Sequence, residues 1–319
     1  MMCFLLTVPL TVTEGGADAI DITYLNAQNI LTSIVTALIA TALFAYITKK
    51  DIILRMPDAV PPFVKKSFAA MPAGLITIIP FIAIRGILAN TSFGTFPDLI
   101  NTLIATPLQN LGNNLPGHMT FLALSSLSWW FGIRNMPILI VASIILEPSA
   151  TENVNAVMSG QAAPNMLSWL SFLIPLQFIG GSGSMFGLYI DTILFAKSER
   201  YKAQGKVQLV PGLFNITEPA MFGMPTILNP TFLLPTVLTP QVIMLMLYFA
   251  LKIGIVTTPV VSLSNFLPGP LIGFFMGGGI MMPVFIILCC LVSCVIYYPF
   301  VKVADKAECE NEAKMASAE

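Results

Sequence analysis

Long apolar runs, separated by short clusters of charge, organise this chain. No Asp, Glu, Lys or Arg falls between Asp21 and Lys49, Asp98 and Arg134, Glu152 and Asp191, Glu218 and Lys252, or Lys252 and Lys302, and the last gap is 49 residues long. A membrane-crossing helix needs about 20 apolar residues, so several gaps hold one span and the last holds two. The pattern predicts an all-α polytopic membrane protein of about six to eight transmembrane helices, with spans at 28–48, 67–89, 115–133, 165–196, 230–252 and 270–300. A β-barrel is excluded, because its strands would alternate polar and apolar positions. Segments 135–160 and 209–229 are apolar too, but Pro, Gly and Asn interrupt them. Irregular backbone at membrane depth persists only inside protein or beside a water-filled cavity, and such broken segments mark binding sites. Both are expected to be re-entrant hairpins.

Composition agrees with the pattern. Of 319 residues, 56% are hydrophobic and 10% are charged, where a soluble domain carries about 25% charged residues. Lys and Arg concentrate at 49–66, at 197–206 and after 301, the distribution that marks cytoplasmic loops beside spans. The first cluster, KKDIILRMPDAVPPFVKK, mixes basic and apolar residues and suits a segment lying along the membrane surface. The last, 302–319, reads as a solvated helix or a disordered tail. A net charge of −1 gives a nucleic-acid partner no electrostatic basis. Cys3, Cys289, Cys290, Cys294 and Cys309 form no CxxC and no metal spacing, so neither a metal site nor a cofactor is expected.

The stretch 211–235, PGLFNITEPAMFGMPTILNPTFLLP, carries one carboxylate, Glu218, among five prolines. A carboxylate inside a membrane segment costs several kcal/mol unless paired or hydrated. Pro219 removes a backbone donor, and Pro211 and Pro225 break the segment on either side. The freed carbonyls, with Asn215 and Thr217, then form a polar pocket in a dry wall, suited to a hydroxyl-rich ligand such as a sugar. The competing reading is that Glu218 caps a helix N-terminus at the membrane surface. His118, the only histidine, is expected near a membrane surface and is a weak site candidate. Trp129, Trp130 and Trp169 suit either sugar stacking or an interfacial belt. Asn229 is expected to satisfy a backbone group freed by Pro230, and GGSGS at 180–184 to allow close helix packing.

The segment KVQLVPGLFNITEPAMFGMPTILNPTFLLP resembles the signature of enzyme IIC, the membrane subunit of the lactose/cellobiose (N,N'-diacetylchitobiose) family of the sugar phosphotransferase system. LRMPDAVPPFVKKSFAAMPAG, PLQNLGNNLPG, GGSGSMFGLYI followed by AKSERYKAQGK, and YYPFVKVAD fit the same family in the same order. The resemblance covers nearly all of residues 15–306. It implies the glucose-superfamily IIC transport fold: a homodimer with an N-terminal interface domain and a C-terminal transport domain. On that comparison residues 1–112 are the remainder of the interface domain, 113–301 the transport domain and 302–319 a cytoplasmic tail. The chain is expected to begin inside the family's third span. One departure concerns WWFGIRNM at 129–136, where the family reads WFFGIHG and its His resembles a partner of the glutamate. Here Arg134 and Asn135 stand instead. Arg134 would pair with Glu218 and close the site, grip sugar hydroxyls or an anionic group, or turn toward an aqueous vestibule.

The resemblance implies a multi-pass protein of the bacterial cytoplasmic membrane that moves a β-linked disaccharide, such as cellobiose, chitobiose or lactose. Phosphorylated IIB and IIA partners act at the cytoplasmic face. The residues implied to bind sugar are Glu218, Asn215, Arg134, Asn135 and Thr217. None is expected to be phosphorylated, so the chain supplies binding and positioning while the enzyme label belongs to the complex. Other readings stand beside this one: a shortened, transport-inactive relative or a modulator of a complete IIC, and a facilitator that works without phosphorylation.

Overall fold

The computed structural model describes residues 1–12, 18–20, 22–25, 29–50, 52, 68–105, 112–224 and 226–316. The surface segment expected at 49–66 lies almost wholly outside them, as do Pro225 and the last three residues of the tail. The described chain is helical apart from one short antiparallel pair, β1 (Leu10–Val12) and β2 (Asp18–Ile20). It divides into two compact units, Met1–Leu108 and Gln109–Glu319.

The first unit holds α1 (Met2–Thr7), α2 (Ile30–Lys49), α3 (Met71–Leu88) and α4 (Phe96–Ile100). The second holds α5 (Leu115–Trp130), α6 (Met136–Met158), α7 (Trp169–Gln177), α8 (Phe186–Phe195) and α9 (Glu199–Leu213). It continues with α10 (Glu218–Gly223), α11 (Pro230–Ile253), α12 (Gly269–Gly273) and α13 (Met281–Ala316). Among the described residues α2, α3, α6, α11 and α13 are long and apolar enough to cross a membrane. In the first unit α2 and α3 pack together, and their outward faces expose Leu38, Leu75, Ile79 and Ile87. A surface that apolar suits lipid rather than water.

Two segments depart from the sequence reading. Residues 135–160, expected as a broken hairpin, form the single helix α6. Its polar residues find partners outside the helix, so the backbone need not break to satisfy them. The Asn153 amide donates to the Asn165 carbonyl at 2.8 Å and its oxygen accepts the Asn165 N–H at 2.8 Å. The Asn113 amide donates to Ser149 Oγ. Pro148 sits inside α6 and is buried. Conversely, 165–196, expected as one span, is split into α7 and α8. Gly180, Gly181, Gly183 and Ser184 all take positive φ between them, a conformation glycine alone adopts at no steric cost.

The core of the second unit lies around α7, whose Leu170, Phe172, Ile174 and Leu176 are buried, with α7 packed against α6 and α11. Lipid is as apolar as Leu, so close backbone approach rather than hydrophobic burial drives helix association here. The crossing of α8 and α13 shows it. Gly187 N–H donates to Ser293 Oγ at 2.8 Å, and Ser293 Oγ–H donates to the Ser184 carbonyl at 2.6 Å. A Cβ on Gly187 would stand 2.3 Å from the Ser293 carbonyl oxygen.

Candidate functional site

Two helix ends build the site. At the C-terminus of α5, Ile133 N–H reaches back to the Ser128 carbonyl at 2.9 Å across Gly132, whose φ is 75°. This six-residue closure ends the helix at a left-handed residue. It leaves Arg134 exposed while Asn135 turns inward, its amide donating to Ser125 Oγ at 2.5 Å. At the C-terminus of α9 the same device recurs. Ile216 N–H returns to the Pro211 carbonyl at 3.0 Å, and Asn215 takes φ 63°. Short-side-chain Asn is among the few residues other than Gly that tolerate this region.

The Asn215 amide donates to the carbonyls of Asn265 at 2.9 Å and Leu267 at 2.8 Å, which ties the broken segment to the loop before α12. Its Oδ1 is buried without a hydrogen-bond partner. Thr217 Oγ1 accepts the Ser182 N–H at 2.8 Å. Gly181 is the close neighbour that permits this, because a Cβ there would lie 2.0 Å from Thr217 Oγ1. The glycine run thus shapes a turn under the site and also lies against α13, where the Tyr297 hydroxyl donates to the Gly183 carbonyl at 2.9 Å.

Glu218 opens α10, followed by Pro219, so its carboxylate stands in the first turn of a short helix. Arg134 Nη2 donates to its Oε1 at 3.2 Å, with the Arg side chain 72% and the Glu side chain 41% exposed. Glu218 thus sits in the first turn of a short helix and in contact with Arg134. Of the three positions weighed for Arg134, the structure adopts pairing with Glu218. The end of α5 is also joined to the loop before α11, where Leu228 N–H donates to the Trp130 carbonyl at 2.9 Å and Trp130 Nε1 donates to the Asn229 carbonyl at 2.9 Å. Asn229 Oδ1 accepts the Thr231 N–H at 3.0 Å and so caps α11, as its place before Pro230 suggested.

Glu218, Arg134, Thr217 and Asn215 come from the two helix ends, while Asn135 and His118 are engaged elsewhere. Asn135 bonds within the α5 turn. His118 is fully buried, with Nδ1 3.0 Å from the Gly112 carbonyl oxygen and its ring edge-on to Phe172. Trp129 is buried, and Trp169 stacks on Phe172 with ring centroids 5.6 Å apart. A cavity of about 300 Å³ adjoins the cluster, with Asn215, Gly180, Gly212 and Phe186 on its wall. Ser182, Asn265 and Leu267 escaped the sequence reading. The first two signal themselves only as small polar residues in glycine- or proline-rich loops, and Leu267 contributes backbone alone.

Apolar helices around a polar cluster at two helix breaks define a polytopic membrane protein of the permease class. Residues 1–240 match the family model "Phosphotransferase system, EIIC", and the chain belongs to that family. It is 30% identical to the oligo-beta-mannoside-specific EIIC component of Bacillus subtilis (strain 168), over 99% of this chain and 73% of that protein. It is also 30% identical to the cellobiose-specific EIIC component of Geobacillus stearothermophilus, over 98% of this chain and 72% of that protein. Among solved structures it resembles the transporter ChbC, the IIC component of the N,N'-diacetylchitobiose-specific phosphotransferase system. That match has a TM-score of 0.88 and 30% identity, and covers 98% of this chain and 75% of ChbC.

Proposed function

We propose that this chain is the sugar-translocating IIC subunit of a phosphoenolpyruvate-dependent phosphotransferase system in a bacterial cytoplasmic membrane. Its substrate is a β-linked disaccharide of the cellobiose, chitobiose or lactose type. The observation that carries the reading is Glu218: a carboxylate at a helix break in an apolar domain, beside a buried Asn215 oxygen that has no partner. Carboxylate oxygens accept from sugar hydroxyls, and the free Asn215 Oδ1 adds a second acceptor. The names of the relatives and of the structural neighbour support a β-glycoside. Arg134 then both balances Glu218 and donates to sugar oxygens once they displace it from the carboxylate. The chain holds the sugar for a phosphorylated IIB partner, and Glu218 orients the hydroxyl that receives the phosphoryl group. Positioning of this kind is a catalytic share without covalent chemistry.

The test is phosphoryl transfer. Membranes containing the chain, supplied with phosphorylated IIB from a cellobiose or chitobiose system, are expected to convert labelled disaccharide to its phosphate. Product formed equally by membranes lacking the chain, or none with any β-disaccharide, contradicts the reading.

A further inference from the structure

A second built feature lies away from the Glu218 cluster, where the apolar part of α13 gives way to its charged end. A half-open cavity of about 540 Å³ is lined by Lys197, Lys302, Lys306, Phe195, Tyr298 and Asp305. The carboxylates of this region, Asp305 on the wall among them, are engaged by other donors. Asp305 accepts the backbone N–H groups of Lys197 at 2.8 Å and Ser198 at 2.9 Å, so its charge is spent on the start of α9. Glu308 pairs with Arg200 at 2.8 Å, and Glu312 accepts from Ser198 Oγ–H at 2.7 Å. The three lysines are exposed, and among the described residues none of them pairs with a carboxylate. Lys302 Nζ lies 5.3 Å from the centre of the Tyr298 ring, and Tyr298 meets Phe195 edge-on at 4.9 Å.

The apolar side of the cavity continues into the span. Leu288, Leu291 and Val295 form an exposed stripe on α13 that leads to Tyr298 and Lys302, with Leu194 and Phe195 exposed on α8 beside it. An aromatic pair at the boundary, apolar chain below it and three ammonium groups above it, without a carboxylate partner among the described residues, match one kind of ligand. It has a phosphate-level negative charge and an acyl chain. A soluble anion uses only the lysines and leaves the stripe bare. An acidic protein surface would not reach down along the span.

We propose that this hollow binds an anionic phospholipid, its phosphate on Lys197, Lys302 and Lys306 and an acyl chain along α8 and α13. The experiment is native mass spectrometry of the detergent-purified chain titrated with phosphatidylglycerol, with phosphatidylcholine of the same chains, and with inorganic phosphate. Phosphatidylglycerol is expected to bind at least tenfold more tightly than phosphatidylcholine. Neutralising Lys197, Lys302 and Lys306 together to Gln is expected to weaken it about 100-fold, and Lys302→Gln alone about fivefold, since each surface lysine contributes about 1 kcal/mol. The triple Arg variant keeps the charge and is expected to retain binding. If the triple Gln variant does not purify folded, the single Gln and triple Arg variants carry the comparison. Equal binding of both lipids, wild-type affinity in the Gln variants, or occupancy by inorganic phosphate as tight as by phosphatidylglycerol overturns the proposal. None of these readouts involves sugar, so they stand apart from the Glu218 reading.

Discussion

An ion pair with both members in contact with water contributes about 0–1 kcal/mol. With Arg134 72% and Glu218 41% exposed, their contact at 3.2 Å positions the carboxylate without locking it. A hydrogen bond to a charged group is worth about 1.5–3 kcal/mol, enough for the sugar hydroxyls of the proposed function to outcompete the pair. Arg134→Gln gives up the weak pair but keeps an N–H donor for the sugar, so it is expected to change sugar affinity by less than about fivefold in equilibrium binding. A gain of 100-fold would mean that the pair seals the site. Glu218, Asn215 and Thr217 were legible as polar residues stranded in an apolar, proline-broken segment. Their division of labour was not. Asn215 uses its amide on two loop carbonyls, Thr217 serves the Ser182 N–H, and Asn135 turns to the Ser125 hydroxyl, partners that mostly lie far off in sequence and meet only in the folded chain.

At the level of elements, the charge gaps located α2, α3, α5 and α11 to within a few residues, since a long apolar run with no competing break has one low-energy form in lipid. Breaks were harder. Pro and Asn in α6 suggested a hairpin, but Asn113 and Asn165 supply the partners that keep it one helix. GGSGS was legible as close packing, yet its glycines also take positive φ and split α7 from α8. The tightest approach to α13 comes just after the run, at Gly187. Gly187→Ala would gain about 1 kcal/mol of helix propensity, but its methyl meets backbone at 2.3 Å, which no rotamer change relieves. Overpacking of this kind costs about 1–3 kcal/mol. The variant is expected to unfold at a lower temperature than wild type in the same detergent, and an unchanged or raised midpoint would contradict the crossing of α8 and α13.

Across the molecule, the membrane class followed from the distribution of charge alone, and the family from motifs spread along nearly the whole chain. The extent of α13 did not. It continues from the membrane-spanning part to Ala316, with its end docked on the start of α9. Ser198 Oγ–H, first among the causes, holds the Glu312 carboxyl below its ordinary value of 4.5. A carboxylate lowered in this way stabilises the docked end fully above 4.5, and loses that contribution as pH falls through its lower docked value. Hydrogen exchange at the end of α13, corrected for intrinsic rates, is expected to speed up as pH drops from 6 to below 4.5. Corrected rates that do not change over that range would place the carboxylate outside the docking contact.

The central claim is that Glu218 grips the sugar, and equilibrium binding tests it most directly. Labelled cellobiose and N,N'-diacetylchitobiose would be titrated onto the detergent-purified 319-residue chain and onto its Glu218→Gln variant. Replacing the carboxylate by a neutral amide keeps the shape and removes the charged acceptor, so affinity is expected to fall at least tenfold while the unfolding temperature stays close to wild type. Sugar binding by Glu218→Gln equal to wild type would contradict the account.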